Sequence, residues 1–147
     1  MISAQVSLDE IPLTIIAADG NDIEPSTAQS IPMAAGQRYT VIAKLTKPKK
    51  YTLRVSSTAD PQILFGSSII DFQIEAQQQS QTPSVAYINE RGVNTTSDVV
   101  VFKPTQAKPF PAAVIPQVVD ATYKVMMKQA GAPNRWAFNS TPRPECA

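Results

Sequence analysis

Asp19, Asn21, Asp22 and Glu24 crowd three carboxylates and an amide into the stretch LTIIAADGNDIEP, residues 13–25. Oxygens at alternate positions are the donors that a hard cation such as calcium takes. A calcium loop also needs further oxygens and a closing bidentate acid at a fixed offset, and this stretch supplies neither. The second reading is a turn. Asp19-Gly20 is a common hairpin dipeptide, and Asn21-Asp22 tolerates left-handed backbone, so the acids would close a strand ending at Ala18. The residues favour the turn over the metal.

Other chemistry is narrowed by one fact: the chain contains no histidine. Ser-His-Asp and Cys-His nucleophiles and an imidazole base are thereby excluded. A zinc site would lack its commonest ligand, and a blue-copper site needs two His and a Cys. Asp19 and Asp22 lie too close along the chain to straddle a scissile bond as paired carboxylates. Gly36-Gln37-Arg38 is no phosphate loop. Arg38 is expected to pair with a nearby carboxylate or to lie along a sheet. Met126 and Met127 are adjacent and make poor copper ligands, since an axial Met alone holds no metal. Cys146 is the only cysteine, so no disulfide forms within the chain. Asn94-Thr95-Thr96 and Asn139-Ser140-Thr141 are N-glycosylation sequons, weak singly and together leaning toward a secreted context.

These residues sit in a chain of 147 residues, 43% apolar and 17% charged, which is enough for one domain with a real core. The net charge is +1 with the basic residues scattered, so no nucleic acid is expected as a partner. No run approaches the roughly 18 apolar residues that cross a bilayer, so no membrane partner is expected either. The opening MISAQVSLDE has neither a basic region nor an apolar core, and is not expected to be a signal peptide.

Short alternating segments supply the positioning elements. PLTIIAA is rich in β-branched residues. STAQSIPM, between Pro25 and Pro32, fits an edge strand. QRYTVIAKL alternates, with Tyr39, Val41, Ala43 and Leu45 to one side and Ile42 as the exception. KPKK reads as a solvated turn, and YTLRVSS alternates again, with Tyr51, Leu53 and Val55 on one side. In QILFGSSIIDFQI, Gly66 predicts a bulge or tight bend. Residues 76–83 are a polar linker, DVVVFKP a short buried strand, and the proline-rich run after it an extended crossing. For DATYKVMMKQAG the Val, Thr and Tyr content favours strand over helix, and NRWAFNS reads as a strand with Trp136 and Phe138 in the core. The fold class is all-β, an antiparallel sandwich or barrel.

The order of these features resembles the middle, second cupredoxin-like domain of multicopper oxidases of the laccase, ascorbate oxidase and ferroxidase group, fungal type. The resemblance rests on Ala18-Asp19-Gly20, Glu24-Pro25, Gly36-Gln37-Arg38-Tyr39 and Arg54, and extends from about residue 6 to 141. It implies a Greek-key plastocyanin-like domain, residues 1–147, with Asp19, Gly20, Glu24, Pro25, Gly36, Gln37, Arg38, Tyr39 and Arg54 in structural roles. In that family copper is bound by His-x-His pairs of the first and last domains, and the middle domain carries no ligand. The resemblance therefore implies no cofactor in this chain, copper in the full-length enzyme, and flanking cupredoxin domains as partners. It further implies an extracellular parent enzyme that oxidises phenolic or similar substrates while reducing oxygen. The chain is expected to be a fragment starting inside that domain, catalytically silent by itself, with sheet edges left open. Two other readings stand beside it: a non-enzymatic β-sandwich interaction module, and a calcium-dependent adhesive domain using residues 19–24.

Overall fold

The computed structural model describes residues 3–58, 64–75, 78–80, 82–114, 116, 118, 121–129, 136–138 and 141–142. Residues Met1–Ala113 form one compact unit and Val114–Ala147 a second. The first unit holds seven strands, β1 (Ser3–Leu8), β2 (Leu13–Ala18), β3 (Asn21–Ala28), β4 (Ser30–Ala34), β5 (Tyr39–Ala43), β6 (Lys49–Ser57) and β7 (Phe65–Phe72). They form two antiparallel sheets, ordered β4-β1-β6-β7 and β3-β2-β5. The expected β-sandwich is what the chain builds.

Alternation explains the apolar core. Leu13, Ile15 and Ala17 of β2 point inward, and Ile23 and Ala28 of β3 join them. Leu8, Ile31 and Tyr51 face them from the other sheet, and Phe102 closes the cluster from the chain beyond β7. β2 and β3 meet at Asp19-Gly20, where Ala18 pairs with Asn21 and both turn residues have positive φ, 51° and 87°. That is the I′-like geometry matching the right-handed twist of a hairpin.

Several expected details are corrected. Gly66 causes no bulge: it pairs with Val55 in an unbroken ladder between β6 and β7. The irregularity lies at Ile16 of β2, opposite residues 23–25 of β3, where the absent N–H of Pro25 costs no ladder bond. STAQSIPM is split between β3 and β4, and β4 takes the sheet edge as foreseen. KPKK is not a solvated turn, because Lys49 opens β6 and is buried. Val55 is exposed while Ser56 is buried, the reverse of the expected alternation. DVVVFKP is extended but not a strand. It makes one bridge, between Val101 and Ser30, with Val99 and Phe102 buried. Of residues 120–131 only β8 (Met127–Gln129) is a strand among the described residues. It pairs with β9 (Trp136–Phe138), which pairs with β10 (Thr141–Pro142). The side chains of Trp136 and Phe138, and the whole of Asn139 and Cys146, lie outside the described residues, as do positions 76, 77 and 81 of the linker.

The reversal at Ser56 has a cause. Gln5, Ser7, Ser30 and Ser56 lie on the side of the four-stranded sheet away from the apolar core, yet all are buried. Residues 84–102 run back over that face. Gln5 Nε2 donates to Ser30 Oγ (2.7 Å) and to Asn94 Oδ1 (3.1 Å), and Ser56 Oγ donates to the Asn89 carbonyl (3.0 Å). A Cβ on Gly92 would stand 2.8 Å from Thr58 Cγ2, so this loop approaches the end of β6 only because position 92 has no side chain.

Ile15, with no exposed surface, should lose about 2–5 kcal/mol of stability on Ile15→Ala. Ile42→Ala, at a residue 53% exposed, should change it by no more than about 1 kcal/mol. Urea unfolding of the two variants checks the assignment of inner and outer faces.

Candidate functional site

The residues singled out in the sequence fall into two groups. The first surrounds the β2–β3 hairpin. Asp19 Oδ1 accepts a hydrogen bond from the Arg38 backbone N–H (2.8 Å), and the Asp19 N–H donates to the Arg38 carbonyl (2.8 Å). The Asp19 carboxylate thus ties the hairpin to the start of β5. The turn before β5 is closed twice, by the Gln37 N–H on the Ala34 carbonyl and by the Ala34 N–H on Gln37 Oε1 (2.8 Å). Gly36 sits there with φ 88° and open space around it, so glycine is required for backbone conformation and not for room.

Arg38 forms no ion pair among the described residues; its Nη2 lies over the hairpin, 3.7 Å from where a Gly20 Cβ would stand. Tyr39 meets Phe102 edge-to-face at 5.4 Å, and burial first, then the Asp19 charge, pushes its phenol pKa up. Glu24 faces Lys108 at 3.9 Å, both well exposed, a contact of little energetic weight. Its N–H donates to the Lys108 carbonyl, and the Asp22 carbonyl accepts from the Phe110 N–H. Of the 19–24 acids, the Asp19 carboxylate is spent on turn closure and the Glu24 carboxylate on a surface pair. Among the described residues no group of three or more His, Cys, Asp or Glu side chains could hold a metal ion.

The second group centres on Arg54, and sequence reading missed its partners. Arg54 grips Asp9 with two parallel bonds, Nε to Oδ1 (2.8 Å) and Nη2 to Oδ2 (2.9 Å). Asp9 has no exposed surface and also accepts from Ser84 Oγ (3.2 Å). The hydrogen bond to Asp9 raises the Arg54 pKa further. Next along the chain, Glu10 (φ 62°) accepts from Lys49 Nζ (2.8 Å) and from the Val85 N–H (3.1 Å), and its own N–H donates to the Val85 carbonyl. Lys49 Nζ also lies 5.7 Å from the centre of the Tyr51 ring. The Lys49 hydrogen bond holds the Glu10 carboxyl below its ordinary value, against a smaller effect of burial. The signal was present in VSLDEIPLT, two adjacent acids between apolar strands, but nothing local says that a strand-corner acid is buried.

Asn94 is half-buried, its Oδ1 holding Gln5, and Thr95 Oγ1 donates to the Ala86 carbonyl (2.6 Å).

Two facing antiparallel sheets, a turn motif built on Asp19, Gly20 and Gly36, and a buried Asp-Arg clamp define a cupredoxin-type β-sandwich. Solved multicopper oxidases share the fold. A structure described as Fet3p, a multicopper oxidase that functions in iron import, superposes with TM-score 0.62 over 95% of this chain and 26% of that one, at 16% identity. A laccase from B. aclada gives 0.57 over 95% of this chain and 25% of that one, at 19% identity. The family model described as multicopper oxidase matches residues 1–74. The chain belongs to the multicopper oxidase family. It is 31% identical to the laccase abr2 of Aspergillus fumigatus over 91% of its length, and 30% identical to the multicopper oxidase CTB12 of Cercospora beticola over 89%. It spans 23% and 20% of those two relatives.

Copper is the metal this family implies. The residues present do not fit it: the chain has no histidine, and the described residues hold no metal-ligand cluster.

Removing one partner of a buried pair leaves a stranded charge. Arg54→Met should therefore cost about 3–5 kcal/mol, nearer the lower figure because Arg54 is 23% exposed. Arg54→Lys should recover only part, since a single ammonium cannot make the two-point grip. Glu10 has a folded pKa below its ordinary 4.5, so its pairing contributes stability above that value and loses it as pH falls through the lowered one. Chemical denaturation from neutral to strongly acidic pH should show Glu10→Gln less stable than wild type at neutral pH, the gap closing below the carboxylate range.

Proposed function

We propose that this chain is the middle cupredoxin-like domain of a multicopper oxidase, a packing bridge between the flanking domains that does no redox chemistry itself. The observation that carries the reading is the absence of histidine from a chain in a family whose copper is held largely by imidazole. The positions that mark the resemblance support it. Asp19, Gly20, Gly36 and Gln37 close turns, Tyr39 packs on Phe102, and Arg54 anchors a buried acid. Each serves the scaffold, and none points a reactive group at a shared space. The parent enzyme, in this reading, oxidises phenolic or similar substrates outside the cell, and its substrate pocket is shaped mainly by other domains. The sequons at Asn94 and Asn139 belong to the same proposal.

Purified chain titrated with Cu(I) and Cu(II), followed by desalting and metal analysis, should retain far less than one copper per molecule. It should show no oxygen uptake with a phenolic substrate. Stoichiometric copper, or phenol oxidation by the chain alone, would overturn the reading.

A further inference from the structure

The segment that covers the four-stranded sheet is seated unevenly. From residue 86 onward it is well fixed. Thr95 Oγ1 donates to the Ala86 carbonyl and the Thr95 N–H to the Tyr87 carbonyl, while Ile88, Val99 and Phe102 are buried. Upstream, the Ser80 N–H donates to the Pro48 carbonyl (2.9 Å), just before β6. Between those fixed ends no side chain of residues 82–85 is buried, and Val85 is 66% exposed. Among the described residues, three hydrogen bonds tie that stretch to the sheet. Ser84 Oγ donates to Asp9 Oδ2, the Val85 N–H donates to Glu10 Oε1, and the Val85 carbonyl accepts from the Glu10 N–H.

All three bonds end on the corner between β1 and β2, but its two acids differ. Asp9 has no exposed surface and is gripped by Arg54 at two points. The Glu10 side chain is 30% exposed and is joined to one base, Lys49, whose own side chain is 5% exposed. Lys47, in the turn before β6, adds a weaker attraction, and residues 82–86 bring no titratable side chain. The Glu10 carboxylate thus has two tasks, accepting the Val85 N–H and neutralising a buried ammonium. A proton on Glu10 weakens the first and ends the second. Lys49 then keeps only the Tyr51 ring, 5.7 Å from its Nζ, and a cation–π contact offsets only part of the cost of a buried unpaired charge. Lifting the cover over the corner returns water to the ammonium. The stretch that lifts at least cost is residues 82–85, which bury no side chain.

We propose that Glu10 is a proton-operated latch: its carboxylate holds residues 82–85 onto the corner between β1 and β2, and its protonation frees them and lets water reach Lys49 while residues 86–102 stay seated. Lys49 first, against a smaller effect of burial, holds the Glu10 carboxyl below its ordinary 4.5. The latch is therefore closed at and above that value and opens as pH falls through the lowered one. It requires nothing of the oxidase reading and is tested separately from it.

Amide exchange and backbone heteronuclear NOE, measured by NMR on the full chain, resolve the two ends of the segment. At neutral pH, Glu10→Gln, which keeps the shape and removes the charge, should speed exchange of the Val85 amide by at least about tenfold. The Asn89 and Phe102 amides, bonded to the Val93 and Ser30 carbonyls, should keep their wild-type rates, which also establishes that the variant is folded. Adding Lys49→Met to Glu10→Gln removes the stranded ammonium and should recover most of the lost protection. Glu24→Gln, which breaks only a surface pair, should leave Val85 unchanged. In the wild type the NOE of Ser84 and Val85 should drop below the carboxylate range while those of β1 to β6 hold. A Val85 amide unmoved by Glu10→Gln overturns the proposal, as does a double variant as loose as the single one. Loosening of all strands together in acid overturns it too, since that is global unfolding and not release of a strap.

Discussion

A carboxylate with no exposed surface must find donors inside the protein, because stripping water from an ion costs several kcal/mol even after relaxation. Asp9 finds three, two from Arg54 and one from Ser84, and its own N–H bonds the Thr52 carbonyl. Those partners lie on β6 and on the chain that returns over the sheet, far apart in sequence from the corner between β1 and β2. Satisfying one acid therefore fixes three segments against each other. Glu10 repeats the arrangement one residue on, taking Lys49 from the start of β6 and the Val85 N–H from the returning chain. Two adjacent side chains pin the corner from both sides of β6.

The pinned segment explains why the four-stranded sheet, β7 apart, is covered on both faces while being chemically different on each. Toward the other sheet it presents Leu8, Ile31 and Tyr51. Toward residues 84–102 it presents Ser56 and Gln5, held by hydrogen bonds to Asn89 and Asn94, and Ser30, held by Gln5, while the Ser7 hydroxyl is buried without a partner; Ile88 and Val99 are buried apolar residues of the covering segment. Apolar contact tolerates sliding; hydrogen bonds do not. The polar interlayer sets the register in which the covering chain lies, and that register carries Val100 and Phe102 to the edge of β4 and residues 108–110 to the edge of β3. Finished edges on one side of the sandwich follow from an ion pair at its corner.

Much of the sandwich was legible in the sequence because it rests on local signals. The β-branched alternation of residues 13–18 gave β2, and Asp19-Gly20 gave its turn. The identity of the inner face beyond residue 54 was not legible. Alternation predicts which residues share a face, but Ser56 is buried and Val55 exposed because a distant segment covers the polar side. Lys49 was misread for the same reason: three lysines around a proline look solvated until Glu10 and the Tyr51 ring are placed beside one of them. Gly66 reads as an interruption, yet a glycine near the start of an edge strand needs no bulge when nothing packs within 4 Å of where its Cβ would stand. Arg54 is marked by the family pattern, but its partner acid lies 45 residues away, beyond any spacing argument.

Four of the residues by which the chain resembles its family are of one kind. Asp19 and Gly20 take positive φ; Gly36 does the same; Gln37 and Asp19 bond backbone N–H groups across turns. Such positions tolerate few substitutes, because a Cβ at φ near 88° is strained and a longer acid misses the N–H it must reach. A pattern made of them is a record of how the backbone bends, and it identifies a scaffold with more authority than it identifies a reaction. An active-site pattern would behave differently, gathering side chains with reactive atoms around a common point. Here the charged side chains converge instead on the corner between β1 and β2, where Asp9 and Glu10 are each closed by a basic partner and a donor from the returning chain. The carboxylates of this centre are occupied by donors of the chain itself. Its output is rigidity of the corner between β1, β2 and β6.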